Sequence, residues 1–211
     1  MAHTDPARLP GRPQATILIL CTGNICRSAY AEQELRAGFR RLGATAPRVI
    51  SRGTRVNPGL RTPRELLEAA GKNAEGLQYR VPEQLTDQDV RSASIILAAS
   101  GEHLTDALRR VPAKMRRAFT LAEFAHAARF QPAAPGAQPF PDQDWLSILQ
   151  EHASARRSEI RAELRGRMDI PDPYGHSSEA YASMVATVDR HIAEIAGFAL
   201  AQTRTTASNS A

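Results

Sequence analysis

The stretch Cys21-Thr22-Gly23-Asn24-Ile25-Cys26-Arg27-Ser28 concentrates a thiol, a guanidinium and a hydroxyl in one short loop. Those types at that spacing suit the capture of a phosphate ester and attack upon it. A phosphate ester is a dianion, so it needs converging donors with a nucleophile on the same side. The backbone N–H groups of Thr22, Gly23, Asn24, Ile25 and Cys26, in a loop that runs into a helix, converge on an anion. The helix N-terminus adds partial positive charge. Arg27 offers a bidentate fork to two phosphate oxygens, a geometry that Lys lacks. The same field favours the thiolate form of Cys21, which is the form that attacks. Ser28 is placed to donate a hydrogen bond to that thiolate, or to satisfy backbone at the helix start. Gly23 and Asn24 are the types that tolerate left-handed backbone, which a tightly curled loop requires. Asn24 is read as holding the loop's shape.

Such a loop needs a strand before it and a helix after it. The apolar run Thr16-Ile17-Leu18-Ile19-Leu20 supplies the strand, and Ala31, Leu35, Phe39 and Leu42 recur at helical spacing. Further strands are expected at Pro47-Arg48-Val49-Ile50-Ser51, at the continuous apolar run Ala93–Ala99, and at Ala118-Phe119-Thr120. Asn57-Pro58-Gly59 reads as a turn. Thr62-Pro63-Arg64-Glu65 and Thr120-Leu121-Ala122-Glu123 read as capping boxes, the first leading to a helix that stops at Gly71. Thr86-Asp87-Gln88-Asp89 opens a short helical turn, and Ser100 caps a helix carrying Leu104 and Leu108. The last helix carries Ala180, Met184, Val188, Ile192, Ile195 and Ala199 on one face. Strands alternating with helices specify a three-layer α/β fold: a four-stranded parallel sheet flanked by helices, with the phosphate loop after the first strand.

The chain is 211 residues long, enough for one domain with an ample core. That domain is expected over 15–201, between a flexible tail (1–14) with three prolines and a Thr/Ser-rich disordered tail (202–211). Within it, 131–167 reads as an insertion: a Pro-rich linker to residue 143, then a charged helix in a solvated excursion. No run approaches the ~18–20 apolar residues of a membrane helix. The apolar part after Arg8 and Arg12 is shorter than the ~7–15 residues of a signal-peptide core, which points to the cytoplasm. Two cysteines four positions apart are neither a disulfide framework nor enough for a zinc site, and no cofactor is called for. The net charge of +5 is carried by arginines spread along the chain, with lysine only at Lys72 and Lys114 and aromatics at 5%. That dispersion, without a stacking motif, argues against nucleic acid as a partner.

With the loop and its flanking elements in view, the chain resembles the low-molecular-weight protein tyrosine phosphatases, a family shared with arsenate reductases. The resemblance rests on Cys21 to Ser28 and on Asp169-Ile170-Pro171-Asp172-Pro173-Tyr174, where that family carries its general acid before the last helix. It implies a phosphocysteine mechanism in bacterial cytoplasm, with a phosphotyrosine protein as substrate and inorganic phosphate or a similar oxyanion bound in the loop. In that mechanism Cys21 is the nucleophile, Arg27 the phosphate clamp and Asp172 the acid that protonates the leaving oxygen and later deprotonates water. Asp169 is a competing carboxylate; the Pro173-Tyr174 that follows favours Asp172. Tyr174 would form an aromatic wall selecting a flat phenyl phosphate. Cys26 has two readings, a reversible disulfide partner of Cys21 implied by the resemblance, or a buried loop residue. Arg80-Val81-Pro82-Glu83, Ala99-Ser100 and Gly175 depart from the family pattern and put support of the loop and substrate preference in question. Two further readings stay open: an arsenate reductase coupled to an external small thiol, and a non-catalytic phosphate-binding module.

Overall fold

Ile17, Leu18, Ile19 and Leu20 are all fully or nearly fully buried, as a strand covered on both faces must be. In the computed structural model, which describes residues 14–130 and 144–208, this strand is the second of four. β1 (Thr16–Cys21) pairs in parallel with β2 (Arg48–Gly53) on one side and β3 (Ile95–Ala98) on the other. β4 (Ala118–Thr120) pairs in parallel with β3, so the order is β2-β1-β3-β4. The helices are α1 (Arg27–Phe39), α2 (Arg64–Ala70), α3 (Glu75–Gln78), α4 (Asp87–Ser92), α5 (Gly101–Arg110), α6 (Leu121–Arg129), α7 (Trp145–Ala155), α8 (Arg157–Leu164) and α9 (Ser178–Ser208).

Alternation along β1 divides the interior, because successive side chains of a strand point to opposite faces. Ile17 and Ile19 face a large core with Leu35, Phe39, Phe124, Met184, Val188 and Ile195. Leu18 and Leu20 face a smaller one with Ile50, Val90, Ile96, Leu104 and Ala107. These are the helix–sheet–helix layers expected of the pattern, with α1, α6 and α9 on one side and α4 and α5 on the other.

Local capping follows the sequence at two places and departs at two others, one of them Ser100, which stands at the N-cap of α5 but whose hydroxyl meets the His103 ring and no backbone N–H. Thr86 with Asp89 and Thr120 with Glu123 form reciprocal capping boxes. Thr62 does not: its hydroxyl donates to the Leu77 carbonyl at 2.9 Å, and Pro63 stands at the N-cap of α2 without a side-chain bond. A tertiary carbonyl outcompeted the local amide. Gly71, at φ 55°, closes α2 in the left-handed half of the map that a Cβ disfavours.

The segment after residue 143 is not a solvated excursion, and it is two helices rather than one. Trp145, Leu146, Leu149, Ala153 and Ile160 are buried, and the Trp145 ring lies 5.1 Å from that of Phe39. The charges of α8 are used at the sheet margin. Arg157 lies over the Phe119 ring and donates to the carbonyls of Met115 and Ala118 at 3.0 and 2.8 Å, while Arg161 pairs with buried Glu123 at 2.5 Å. An edge strand such as β4 exposes unpaired carbonyls, and a guanidinium satisfies them while its stem covers apolar surface. Leu149→Ala should therefore cost about 2–5 kcal/mol in chemical denaturation, whereas a solvated helix would lose a few tenths. The expected disordered tail is corrected too, since α9 stays helical to Ser208. Thr203 donates its hydroxyl back to the carbonyls of Ala199 and Leu200, one way a helix tolerates Thr. The readings of 1–13, 131–143 and 209–211 lie outside the described residues. Among those described, no helix is long and apolar enough to cross a membrane.

On α9, burial pushes the His191 imidazole down to about 4. In an unfolded chain the same group binds a proton below about 6.5. Between those values the unfolded state holds the extra proton, so stability falls as pH drops from about 6.5 to 4. His191 alone accounts for roughly 3 kcal/mol of that loss. His191→Leu should flatten this part of a stability–pH curve measured by denaturant titration; parallel curves for the two proteins would contradict it.

Candidate active site

Cys21 is the last residue of β1, at the carboxyl end of the sheet and opposite Gly53 of β2. That is where open parallel sheets present loops to ligands. The loop is pressed against the end of β2, with Thr54 N–H donating to the Cys21 carbonyl at 2.9 Å and Arg55 N–H to that of Thr22 at 3.0 Å. A Cβ at position 53 would stand 2.6 Å from the Thr22 oxygen, so only Gly admits this approach. Asn24 takes the left-handed turn, at φ 57°. Gly23 does not share it, contrary to expectation, and a Cβ there would make only ordinary contact with Ile25. The curl comes from one residue, and Asn adopts that conformation at modest cost.

The sulfur of Cys21 is 2.9 Å from Ser28 Oγ and 3.3 Å from the Asn24 N–H. Arg27 opens α1 and is buried. Its Nη2 reaches Thr22 Oγ1 at 3.4 Å and Asp172 Oδ2 at 2.5 Å, and its Nη1 donates to the Ile170 carbonyl at 3.3 Å. Asp172 comes from 145 residues further along the chain. Its Oδ1 accepts the Tyr174 N–H at 3.2 Å, and its side chain is 47% exposed. Asp169 is engaged elsewhere: its Oδ1 accepts the Gly101 N–H at 2.8 Å, at the start of α5, while Ile170 N–H donates to the Ala99 carbonyl. The Asp169 carboxylate thus ties this segment to the start of α5, and the Asp172 carboxylate meets Arg27. Tyr174 projects from the same segment, half exposed, beside a turn closed by Gly175 at φ 77°. Ile25 and Cys26 are buried, and burial, then the neighbouring Cys21, push the Cys26 thiol up to about 12.

Five residues that the sequence reading did not select complete the surroundings. Ser51 and Arg80 contact Asn24 and are themselves bonded to Glu32, while His103 and, through it, Ser100 support Thr22. His103 Nε2 lies 2.9 Å from Thr22 Oγ1 and Nδ1 lies 2.6 Å from Ser100 Oγ. Burial, and secondarily Arg27, hold the His103 pKa below its ordinary value, so the ring serves as a neutral spacer. Arg80 and Ser100, which departed from the family pattern and left support of the loop in question, are part of that support. A local signal existed only for His103, three residues after the Ser100 whose hydroxyl it meets; Arg80 offered none.

Comparison with known proteins follows the same lines. A family model described as low molecular weight phosphotyrosine protein phosphatase matches residues 16–134, which contain the loop but not Asp172. A probable low molecular weight protein-tyrosine-phosphatase, EpsP, of Ralstonia solanacearum is 29% identical over 70% of this chain and 97% of its own length. A putative one from Klebsiella pneumoniae is 24% identical over 83% and 91%. Among solved structures, the Erwinia amylovora tyrosine phosphatase amsI aligns with a TM-score of 0.60 at 18% identity, covering 90% of this chain and 96% of that one. The YwlE arginine phosphatase of Geobacillus stearothermophilus aligns at 0.59 and 21%, covering 90% and 94%. Likeness at that identity speaks to the fold. The family model spans more than half the chain, and the chain belongs to the low-molecular-weight phosphotyrosine protein phosphatase family.

Proposed function

We propose that this enzyme hydrolyses phosphotyrosine in proteins through a phosphocysteine intermediate. The observation that carries the reading is the meeting of Arg27 and Asp172 at 2.5 Å, beside a loop whose sulfur faces the Ser28 hydroxyl and the Asn24 N–H. An incoming phosphate dianion would take the guanidinium fork from the carboxylate. Asp172, displaced from Arg27, would then face the leaving oxygen as the proton donor. The Cys21 thiolate attacks phosphorus, the S–P bond forms, and the P–O bond breaks as Asp172 protonates the leaving phenolate. Water then attacks phosphorus while Asp172 takes its proton, releasing inorganic phosphate and restoring the thiolate. The Thr22–Cys26 amides and the α1 N-terminus hold the three non-bridging oxygens throughout. Tyr174, half exposed on the Asp172 segment, would pack against the phenyl ring of the substrate. The two free cysteines suit a reducing compartment, the cytoplasm.

The test is turnover of phosphotyrosine, phosphoserine and phosphoarginine peptides with chelator and reductant present, alongside arsenate-dependent oxidation of an added small thiol. Phosphotyrosine should be the preferred substrate and chelator should have no effect. Preference for phosphoarginine, or thiol oxidation without ester hydrolysis, would replace this reading.

A further inference from the structure

Beneath the loop, a set of hydrogen bonds has a direction that two charged residues determine. Glu32, on α1, is 3% exposed, and as a carboxylate it only accepts. Arg80, whose side chain is 15% exposed, carries a guanidinium that only donates. They pair at 2.6 Å, and Arg36 donates to the other Glu32 oxygen at 2.7 Å. Between them sits Ser51 Oγ, at 2.7 Å from Arg80 Nη2 and 2.7 Å from Glu32 Oε2. A hydroxyl that accepts from a guanidinium and faces a carboxylate has one place for its proton, the carboxylate.

That choice propagates. Ser51 Oγ also lies 2.7 Å from Asn24 Nδ2, which must then donate. On the amide's other side, Oδ1 accepts the backbone N–H of Glu83 at 3.0 Å and faces Arg80 Nη2 at 3.5 Å. Turned over, the amide would set its NH2 against both donors. Nδ2 therefore also donates to Ser28 Oγ at 3.0 Å, which leaves the Ser28 proton directed at Cys21 Sγ, 2.9 Å away. Arg80 is itself held in place because Glu83 and Leu85 exchange backbone hydrogen bonds with Gly53 at the edge of β2.

We propose that Arg80 and Glu32 are positioning residues: as a part-buried ion pair they set the polarity of this hydrogen-bond chain so that Ser28 donates to Cys21 and favours its thiolate. Neither touches the sulfur. Without Arg80, Ser51 Oγ loses the guanidinium donor that commits its proton to Glu32, and Asn24 Oδ1 keeps only the Glu83 N–H. The order that faces Ser28 toward the sulfur is then no longer enforced.

The test reads Cys21 directly, as the pH dependence of its alkylation by iodoacetamide, followed at the Cys21 peptide by mass spectrometry. Arg80→Met should move the midpoint upward by about one pH unit. Arg80→Lys, which keeps the cation, should recover at least half of that shift. Ser51→Ala, which leaves the ion pair intact and cuts the chain at its middle, should move the midpoint the same way, and it serves if Arg80→Met fails to fold. A merely structural role would lower the folded fraction without moving the midpoint. Superimposed profiles for wild type and folded Ser51→Ala or Arg80→Met would overturn the proposal. The inference deepens the phosphatase reading but is separable from it: alkylation needs no substrate, so a wild type without turnover would count against the proposed reaction and leave the midpoint shift to decide this one.

Discussion

Serine in place of Cys21 should lower turnover of para-nitrophenyl phosphate by roughly 10⁴-fold or more. The substitution exchanges a thiol, intrinsically the stronger nucleophile, for a hydroxyl that needs a general base in order to attack. Around position 21, among the described residues, no imidazole or carboxylate is hydrogen-bonded to the sulfur to act as a base for that hydroxyl; its polar neighbours are Ser28 Oγ and the Asn24 N–H. Binding should survive, because Arg27, the loop amides and the α1 N-terminus remain. The expected signature is loss of kcat with inorganic phosphate still bound at close to wild-type affinity, measured by turnover and by calorimetry. Residual turnover within tenfold of wild type would exclude a phosphocysteine and require water as the direct nucleophile.

Asp172→Asn should have an effect that depends on the leaving group. A general acid contributes typically 10²–10⁴-fold, and most when the departing oxygen is strongly basic. Tyrosine is a poor leaving group and para-nitrophenolate a good one. The kcat for a phosphotyrosine peptide should therefore fall by about 10²–10³-fold, and that for para-nitrophenyl phosphate by only about tenfold. A second consequence comes from the 2.5 Å pair with Arg27: the carboxylate competes with phosphate for the same guanidinium. Asparagine competes less, so inorganic phosphate should inhibit the variant more tightly than wild type. Equal losses on both substrates would remove Asp172 as the acid. The nearest other carboxylate on that segment, Asp169, is committed to the Gly101 N–H at the α5 N-terminus.

The two predictions share one dependency. Cys21 and Arg27 are held by a loop built locally, whereas Asp172 reaches Arg27 only because Ile170 is hydrogen-bonded to the end of β3 and Asp169 to the start of α5. Loosening that anchor with Asp169→Ala would mimic loss of the acid without touching its carboxyl.

Much of this protein is written in local pattern. Fully apolar strands, a thiol and an arginine at fixed spacing, and helices with repeating Leu, Val and Ile settled the parallel sheet, the strand–loop–helix around Cys21 and the family. Each of these depends on neighbours a few residues apart, and side-chain period and loop chemistry are local properties. Tertiary structure decided the rest. Thr62 resembles an N-cap until the Leu77 carbonyl arrives beside it. The charges of α8 look solvated until β4 offers unpaired carbonyls and Phe119 offers a ring face. Arg80 looked like a loss because its value lies in Glu32 and Ser51, which are 48 and 29 residues away in sequence. A charge is stabilising or costly according to what folding brings against it, and no window of sequence contains that information.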